Sequence, residues 1–200
     1  LTARLTYQGN YSHYLRSKLR HLDADELNTY VTGMLPGGRK KYELIDYSIE
    51  NLDNIDVPLE VVVRVIAKKR ADELNNVLYL DPYLFEILDL YESLNLPGRT
   101  VPVDLRYPSF KEHRLRITWD SSFSFDSVAV PPDDSADFDF VEMSCRFQLE
   151  EGAVSAQFSR ERRGYLLPVD DLEALENYRM KVKKVTSRYI KFYGAGRPGN

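Results

Sequence analysis

Apolar and polar residues alternate along most of this chain, and two stretches switch to helical spacing. Leu1, Ala3, Leu5 and Tyr7 share one side of a strand, Thr2, Arg4, Thr6 and Gln8 the other, and Gly9 and Asn10 end it. Tyr11, Tyr14, Leu15, Leu19 and Leu22 then recur at three- and four-residue steps, which predicts an amphipathic helix with Arg16, Lys18 and Arg20 turned toward solvent. Asp23 or Asp25 caps a second helix carrying Leu27, Tyr30, Val31 and Met34, which Pro36, Gly37 and Gly38 stop. The two short helices form a hairpin.

From Tyr42 the alternation returns, with Ile45, Tyr47 and Ile49 on one side, up to the Asn- and Asp-rich turn from Asn51 to Asp56. Leu59, Val61, Val63, Val65 and Ala67 then oppose Glu60, Arg64 and Lys68, so the two runs pair as an antiparallel hairpin. Val77 to Leu80 reads as a short strand, and Pro82 to Leu94 as a loop with at most a helical turn.

The chain is organised around Leu96 to Trp119. Pro97, Gly98 and Pro102 force a bend, and Tyr107 with Pro108 a second one. A strand follows, with His113, Leu115, Ile117 and Trp119 alternating with Arg114, Arg116, Thr118 and Asp120. After Val128 to Val130 and the turn Pro131 to Asp134, Val141, Met143, Cys145, Phe147 and Leu149 share one strand face. A tight turn at Glu150, Glu151 and Gly152 leads to Val154, Ala156 and Phe158, a second hairpin. Asp170 and Glu173 read as a capping box opening a last helix, whose stripe runs through Leu172, Leu175, Tyr178, Val182, Val185, Tyr189 and Phe192.

The expected fold is therefore mainly β (α+β): an antiparallel β-sandwich with an N-terminal helical hairpin and a long C-terminal helix. It forms one unit over 1–193: strand and helical hairpin (1–40), first β half (41–95), second β half (96–167) and terminal helix (168–193), with a flexible tail at 194–200. At 200 residues and 43% hydrophobic content, this unit fills a core without metal or disulfide. A net charge of −4 argues against a nucleic-acid partner, which needs clustered Lys and Arg. No apolar run reaches the roughly 20 residues of a membrane-spanning helix. Leu1 is not a start residue, so a piece of a longer polypeptide is expected.

Candidate chemistry is sparse. Cys145, the single cysteine, sits mid-strand on an apolar face and reads as a small buried hydrophobe, whereas a reactive thiolate needs a neighbouring His or a helix start. His113 reads as a partly buried, hydrogen-bonded imidazole. His13 and His21 are too far apart on their helix to share a metal. Asp133, Asp134, Asp137 and Asp139 lack the spacing, glycine and closing glutamate of a calcium loop and read as a solvated turn. Ser121, Ser122 and Ser124 have no nucleophile elbow, and no glycine pattern cradles phosphate. Lys68, Lys69 and Arg70, and Arg160, Arg162 and Arg163, read as charge at strand ends that keeps sheet edges solvated. No catalytic, cofactor-binding or metal-binding residue is assigned, and no cofactor is expected.

One resemblance adds to this. Tyr7, Gly9, Tyr14 and Arg16, then Ile49, Asn51, Asp53, Pro58 and Leu59, then Arg99, Pro102, Arg106, Tyr107 and Pro108, and finally Tyr189 and Phe192 resemble the β-rich domain of unknown function that follows the catalytic core in bacterial transglutaminase-like proteins. The resemblance spans nearly the whole chain. It implies a periplasmic or cell-envelope protein whose Cys, His and Asp triad lies upstream, with none of its positions in this chain. The function it implies is a non-catalytic accessory domain whose partners are the upstream domains and a protein or envelope component. The competing expectations are a stand-alone module binding envelope glycan or peptide through exposed tyrosines such as Tyr11 and Tyr178, and a hydrolase around His113, Asp120 and the nearby serines.

Overall fold

The computed structural model describes residues 1–34, 42–67, 71–83, 98–104, 108–119 and 125–194. In chain order the elements are β1 (Thr2–Gly9), α1 (Asn10–Arg20), α2 (Ala24–Gly33), β2 (Tyr42–Glu50), β3 (Leu59–Ala67), β4 (Ala71–Leu74), β5 (Val77–Leu80), β6 (Val103–Asp104), β7 (Ser109–Thr118), β8 (Ser127–Ala129), β9 (Asp134–Phe138), β10 (Val141–Glu150), β11 (Ala153–Arg162), β12 (Leu166–Leu167), α3 (Leu172–Thr186) and β13 (Ile190–Tyr193). The chain is mainly β, with antiparallel sheets and helices. Lys68, Lys69, Arg70, Asp120, Ser121, Ser122, Ser124 and most of 82–94 lie outside the described residues, as do Pro36 to Gly38, Arg106 and Tyr107.

The strand after Pro108 is the middle of the molecule. β7 is the central strand of a seven-stranded sheet ordered β2-β3-β1-β7-β11-β10-β9, in which every neighbouring pair is antiparallel. Gly9 lets β1 turn into α1 beside it: its φ is 68°, and a Cβ there would come within 3.0 Å of the Pro108 carbonyl oxygen. Both expected hairpins are present. β2 pairs with β3, and β10 with β11 through a two-residue turn that ends on Gly152 at φ 68°.

One face of this sheet is apolar because its strands alternate in phase. Ala3 and Leu5 of β1, Val61 and Val63 of β3, Leu115 of β7, Ala156 and Phe158 of β11, and Met143 and Cys145 of β10 are buried in one cluster. Leu15 and Leu19 of α1, Val31 of α2, and Leu175, Val182 and Val185 of α3 close over them. The opposite face is polar and laced with ion pairs whose arginines are solvent-exposed, Arg4 with Glu60, Arg64 with Asp46, Arg114 with Glu112 and Arg116 with Glu150. Each contributes at most about 1 kcal/mol, so this face gives solubility more than stability. A four-stranded sheet ordered β4-β5-β13-β8 packs at one end, where Ile190 and Phe192 meet Val154 and Ile117 of the large sheet and Trp119 just past β7. There the rings of Trp119, Phe125 and Phe192 lie 4.8–5.7 Å apart.

Several expectations are corrected. Arg16 does not face solvent: only 2% of it is exposed, and α1 buries the arc Ser12, Leu15, Arg16 and Leu19. Its guanidinium donates to the carbonyls of Asn51 (3.2 Å), Asn54 (2.9 Å) and Val57 (2.6 Å) and to Ser12 Oγ (2.9 Å), fixing the β2–β3 loop to the helix. The charge is tolerated because the guanidinium fork is filled with acceptors.

A bulge between Leu44 and Asp46 shifts β2, so Leu44 and Tyr47 both face the core and Ile45, 57% exposed, points out. The stretch read as a solvated acidic turn contains an edge strand, β9, paired with β10. At the second helix it is Asp23 that caps, in a reciprocal box with Glu26. The box expected from Asp170 and Glu173 is missing: a short 3-10 turn over Val169–Asp171 leads into α3 instead, and Asp171 caps it without a side-chain bond. α3 stops at Thr186, short of Tyr189 and Phe192. Thr186 and Ser187 hydroxyls bond back to the carbonyls of Val182, Lys183 and Lys184, and Ile190 and Phe192 then follow the strand period in β13.

Candidate functional site

The candidate reactive groups fall on one row across the large sheet. The register aligns Leu5 with His113, His113 with Phe158, Phe158 with Cys145 and Cys145 with Asp134. His113 is 4%, Phe158 2% and Cys145 1% exposed. His113 and Cys145 flank the strand that carries Phe158, so their backbones stand about two strand spacings apart, ~10 Å. The Phe158 ring fills the space on this row, 5.7 Å from Phe147 and 5.2 Å from Tyr83 between ring centres.

Both groups are held in their neutral forms. Burial pushes the Cys145 thiol up, and its Sγ sits 3.5 Å from the Asp134 carbonyl oxygen, a weak donor contact. Burial, followed by the nearby Lys111 ammonium, pushes His113 down to about 3. Its ring meets the edge of Tyr7 at 6.1 Å. A cysteine nucleophile needs its base within hydrogen-bond reach and a thiolate favoured by positive surroundings. The Phe158 strand separates Cys145 from His113, and burial of the thiol outweighs the pull of the nearby Arg188 guanidinium toward the thiolate.

The acidic residues expected in a turn are used structurally. Asp133 accepts from the Phe147 amide at 2.8 Å, Asp134 pairs with Arg188 at 2.9 Å, and Asp137 with Arg163 at 3.3 Å. Among the described residues, no group of His, Cys, Asp and Glu is placed to hold a metal ion. His13 and His21 are both exposed.

Of the second basic run only Arg163 behaves as expected, exposed and paired with Asp137, Glu142 and Glu161. Arg160 and Arg162 are buried, because they continue the core-facing phase of Val154, Ala156 and Phe158 along β11. The tyrosines divide too. Tyr178 is buried against Phe138, 6.4 Å between rings, and presents no surface for a ligand. Tyr11 stands between Tyr7 at 5.5 Å and Tyr14 at 6.2 Å, with Lys111 Nζ 3.8 Å above its ring, while Lys18 Nζ lies 4.3 Å over Tyr30. Burial and the neighbouring Tyr11 and Tyr14 hydroxyls push Tyr30 up to about 12. Tyr14 is exposed at the rim of this cluster.

One concavity was not foreseen. A groove of about 740 Å³ separates α2 from β2, walled by Asn28 and Thr32 on the helix and by Tyr42 to Tyr47 on the strand. A trace of it was in the sequence: the apolar positions Tyr42, Leu44, Tyr47 and Ile49 slip by one step, the mark of a bulged strand. No helix among the described residues is long and apolar enough to cross a membrane. Set beside known protein families, curated proteins and solved structures, the chain matches none of them.

Proposed function

We propose that this chain is a non-catalytic accessory domain of a larger bacterial transglutaminase-like envelope protein, one that supports or positions an upstream cysteine-dependent core. In this reading the two sheets form a β-sandwich, with α1 and α2 as a helical hairpin over one end and α3 as the long closing helix. The observation that carries it is the enclosure of the single thiol: Cys145 is buried and kept protonated, with Phe158 on the strand between it and His113. The resemblance of residues such as Tyr7, Arg16, Asn51, Pro58 and Pro108 supplies the family and, with it, the periplasmic or envelope location.

A transamidase and amidase assay on this chain alone, with a glutamine peptide and an amine as substrates, is expected to give a blank. Turnover abolished by Cys145→Ala would overturn the reading. Sequencing of the native polypeptide upstream of Leu1 is the companion measurement, and the expected result is a papain-like segment with its own cysteine.

A second reading, a binding module for envelope glycan or peptide, is favoured by the tyrosine cluster and the open groove. The cluster is built on α1 and α2, and the groove lies between α2 and β2.

A further inference from the structure

β2 is an outer strand of the large sheet, and the groove beside it has the form of a site that accepts another strand. Side chains alternate across a strand, so a cavity on one face is lined by every second residue. This groove touches six consecutive residues, Tyr42 to Tyr47. On the side of β2 away from β3 no other described strand pairs, so the main chain these residues share is open to a further strand among the described elements. The second wall is a helix face, that of α2, with the half-buried Asn28 in it.

An edge strand faced by a helix across a groove is the arrangement in which an extended peptide adds to a sheet through main-chain hydrogen bonds, with side-chain pockets giving specificity. The volume, about 740 Å³, falls within the range of ligand-binding clefts.

The chemistry of the lining selects the occupant. Glu43 and Asp46 supply carboxylates, and no Lys or Arg stands among the described lining residues. Asp46 shares its charge with Arg64 on the outer face, whereas Glu43 is exposed and has no ion pair among the described residues. Ile45, turned out by the bulge, offers an exposed apolar side chain at the same edge. The bulge also breaks the edge into short runs, which discourages pairing with long, unspecific strands and leaves side-chain contacts to decide what binds.

We propose that the α2–β2 groove binds an extended, basic peptide segment of a protein partner, alternating cationic with apolar residues, by adding it as a strand to the edge of β2. This deepens the binding-module reading and rests on it. Peptide-induced shifts at Tyr11 and Tyr14 without shifts at the groove would overturn this inference and leave the binding-module reading standing, so the two are told apart.

The test uses an end-blocked hexapeptide of alternating lysine and valine, titrated into the isotope-labelled chain at low salt and followed by amide chemical shifts. Changes centred on Tyr42 to Tyr47 and on α2 are expected. N-methylation of the alternate amides that face β2 should weaken binding about tenfold or more, because main-chain bonds are lost. Glu43→Lys, at an exposed position that leaves the fold intact, should weaken the lysine peptide about fivefold and improve a glutamate–valine analogue. Asn28→Trp, which fills the groove, should abolish the shifts, with circular dichroism confirming that the variant is folded. Absence of binding at millimolar peptide, shifts centred on the outer sheet face, or equal affinity for the N-methylated peptide would each overturn the proposal.

Discussion

Truncating Phe158 to alanine should lower the stability of the chain by about 3–5 kcal/mol, the cost of removing a buried ring from a packed core. Phe158 is 2% exposed and braced by Phe147 and Tyr83, so its neighbours have little room to collapse into the space it leaves. The second consequence is chemical. The cavity would open beside Cys145 on the row that ends in His113, and iodoacetamide should alkylate the thiol faster than it does in the parent protein. Urea denaturation measures the first effect and mass-resolved labelling the second. A loss below about 1 kcal/mol, or unchanged labelling, would mean that Phe158 is not what closes the row.

The pH dependence of stability should carry the signature of His113. The imidazole is held at about 3 in the folded chain against about 6.5 when unfolded, so the unfolded state binds one more proton between those values. Stability is then full above pH 6.5 and falls as the solution is acidified, by about 1.4 kcal/mol for each unit below that point. Asp46, Asp134 and Glu150, all held below the usual carboxylate range, lose their stabilising contribution only at lower pH. The Leu1 ammonium, also pushed down by burial, adds a slope of the same sign nearer neutrality, so the histidine is isolated by comparing urea midpoints of the parent chain and His113→Phe at pH 7, 6 and 5. The parent chain should lose about 2 kcal/mol between pH 6.5 and 5 that His113→Phe does not lose, and parallel slopes in the two proteins would contradict the burial of a neutral ring.

The parts of the fold legible in the sequence were those set by local alternation. β1, β3, β10 as far as Cys145 and β11 as far as Phe158 could be read by alternation, because Leu5, Val63, Met143 and Ala156 keep phase with their neighbours and a single slip would turn each to the wrong face. The same logic places Cys145 inside, where it is 1% exposed.

What could not be read depended on partners distant in sequence. Arg16 looks like solvent-facing helix until the carbonyls of Asn51, Asn54 and Val57 arrive from the β2–β3 loop to receive it. Arg160 and Arg162 look like an edge charge run because composition hides their phase along β11. β9 is five residues, Asp134–Phe138, whose composition says turn and whose pairing with β10 says strand. At the end of α3 two periods overlap: Val185, Tyr189 and Phe192 fit a helix, Ile190 and Phe192 fit a strand, and pairing with β5 and β8 decides. The groove needed knowledge of which strand lies at the edge, and that is a property of the whole sheet.

The account turns on a thiol that solvent cannot reach while the chain is folded, and the rate of alkylation of Cys145 in the native protein measures this directly. The expected rate is that of global unfolding, followed in parallel by hydrogen exchange, with no labelling ahead of it at neutral pH. Rapid, complete labelling of the folded protein, accelerating through a thiolate titration below pH 7, would contradict it.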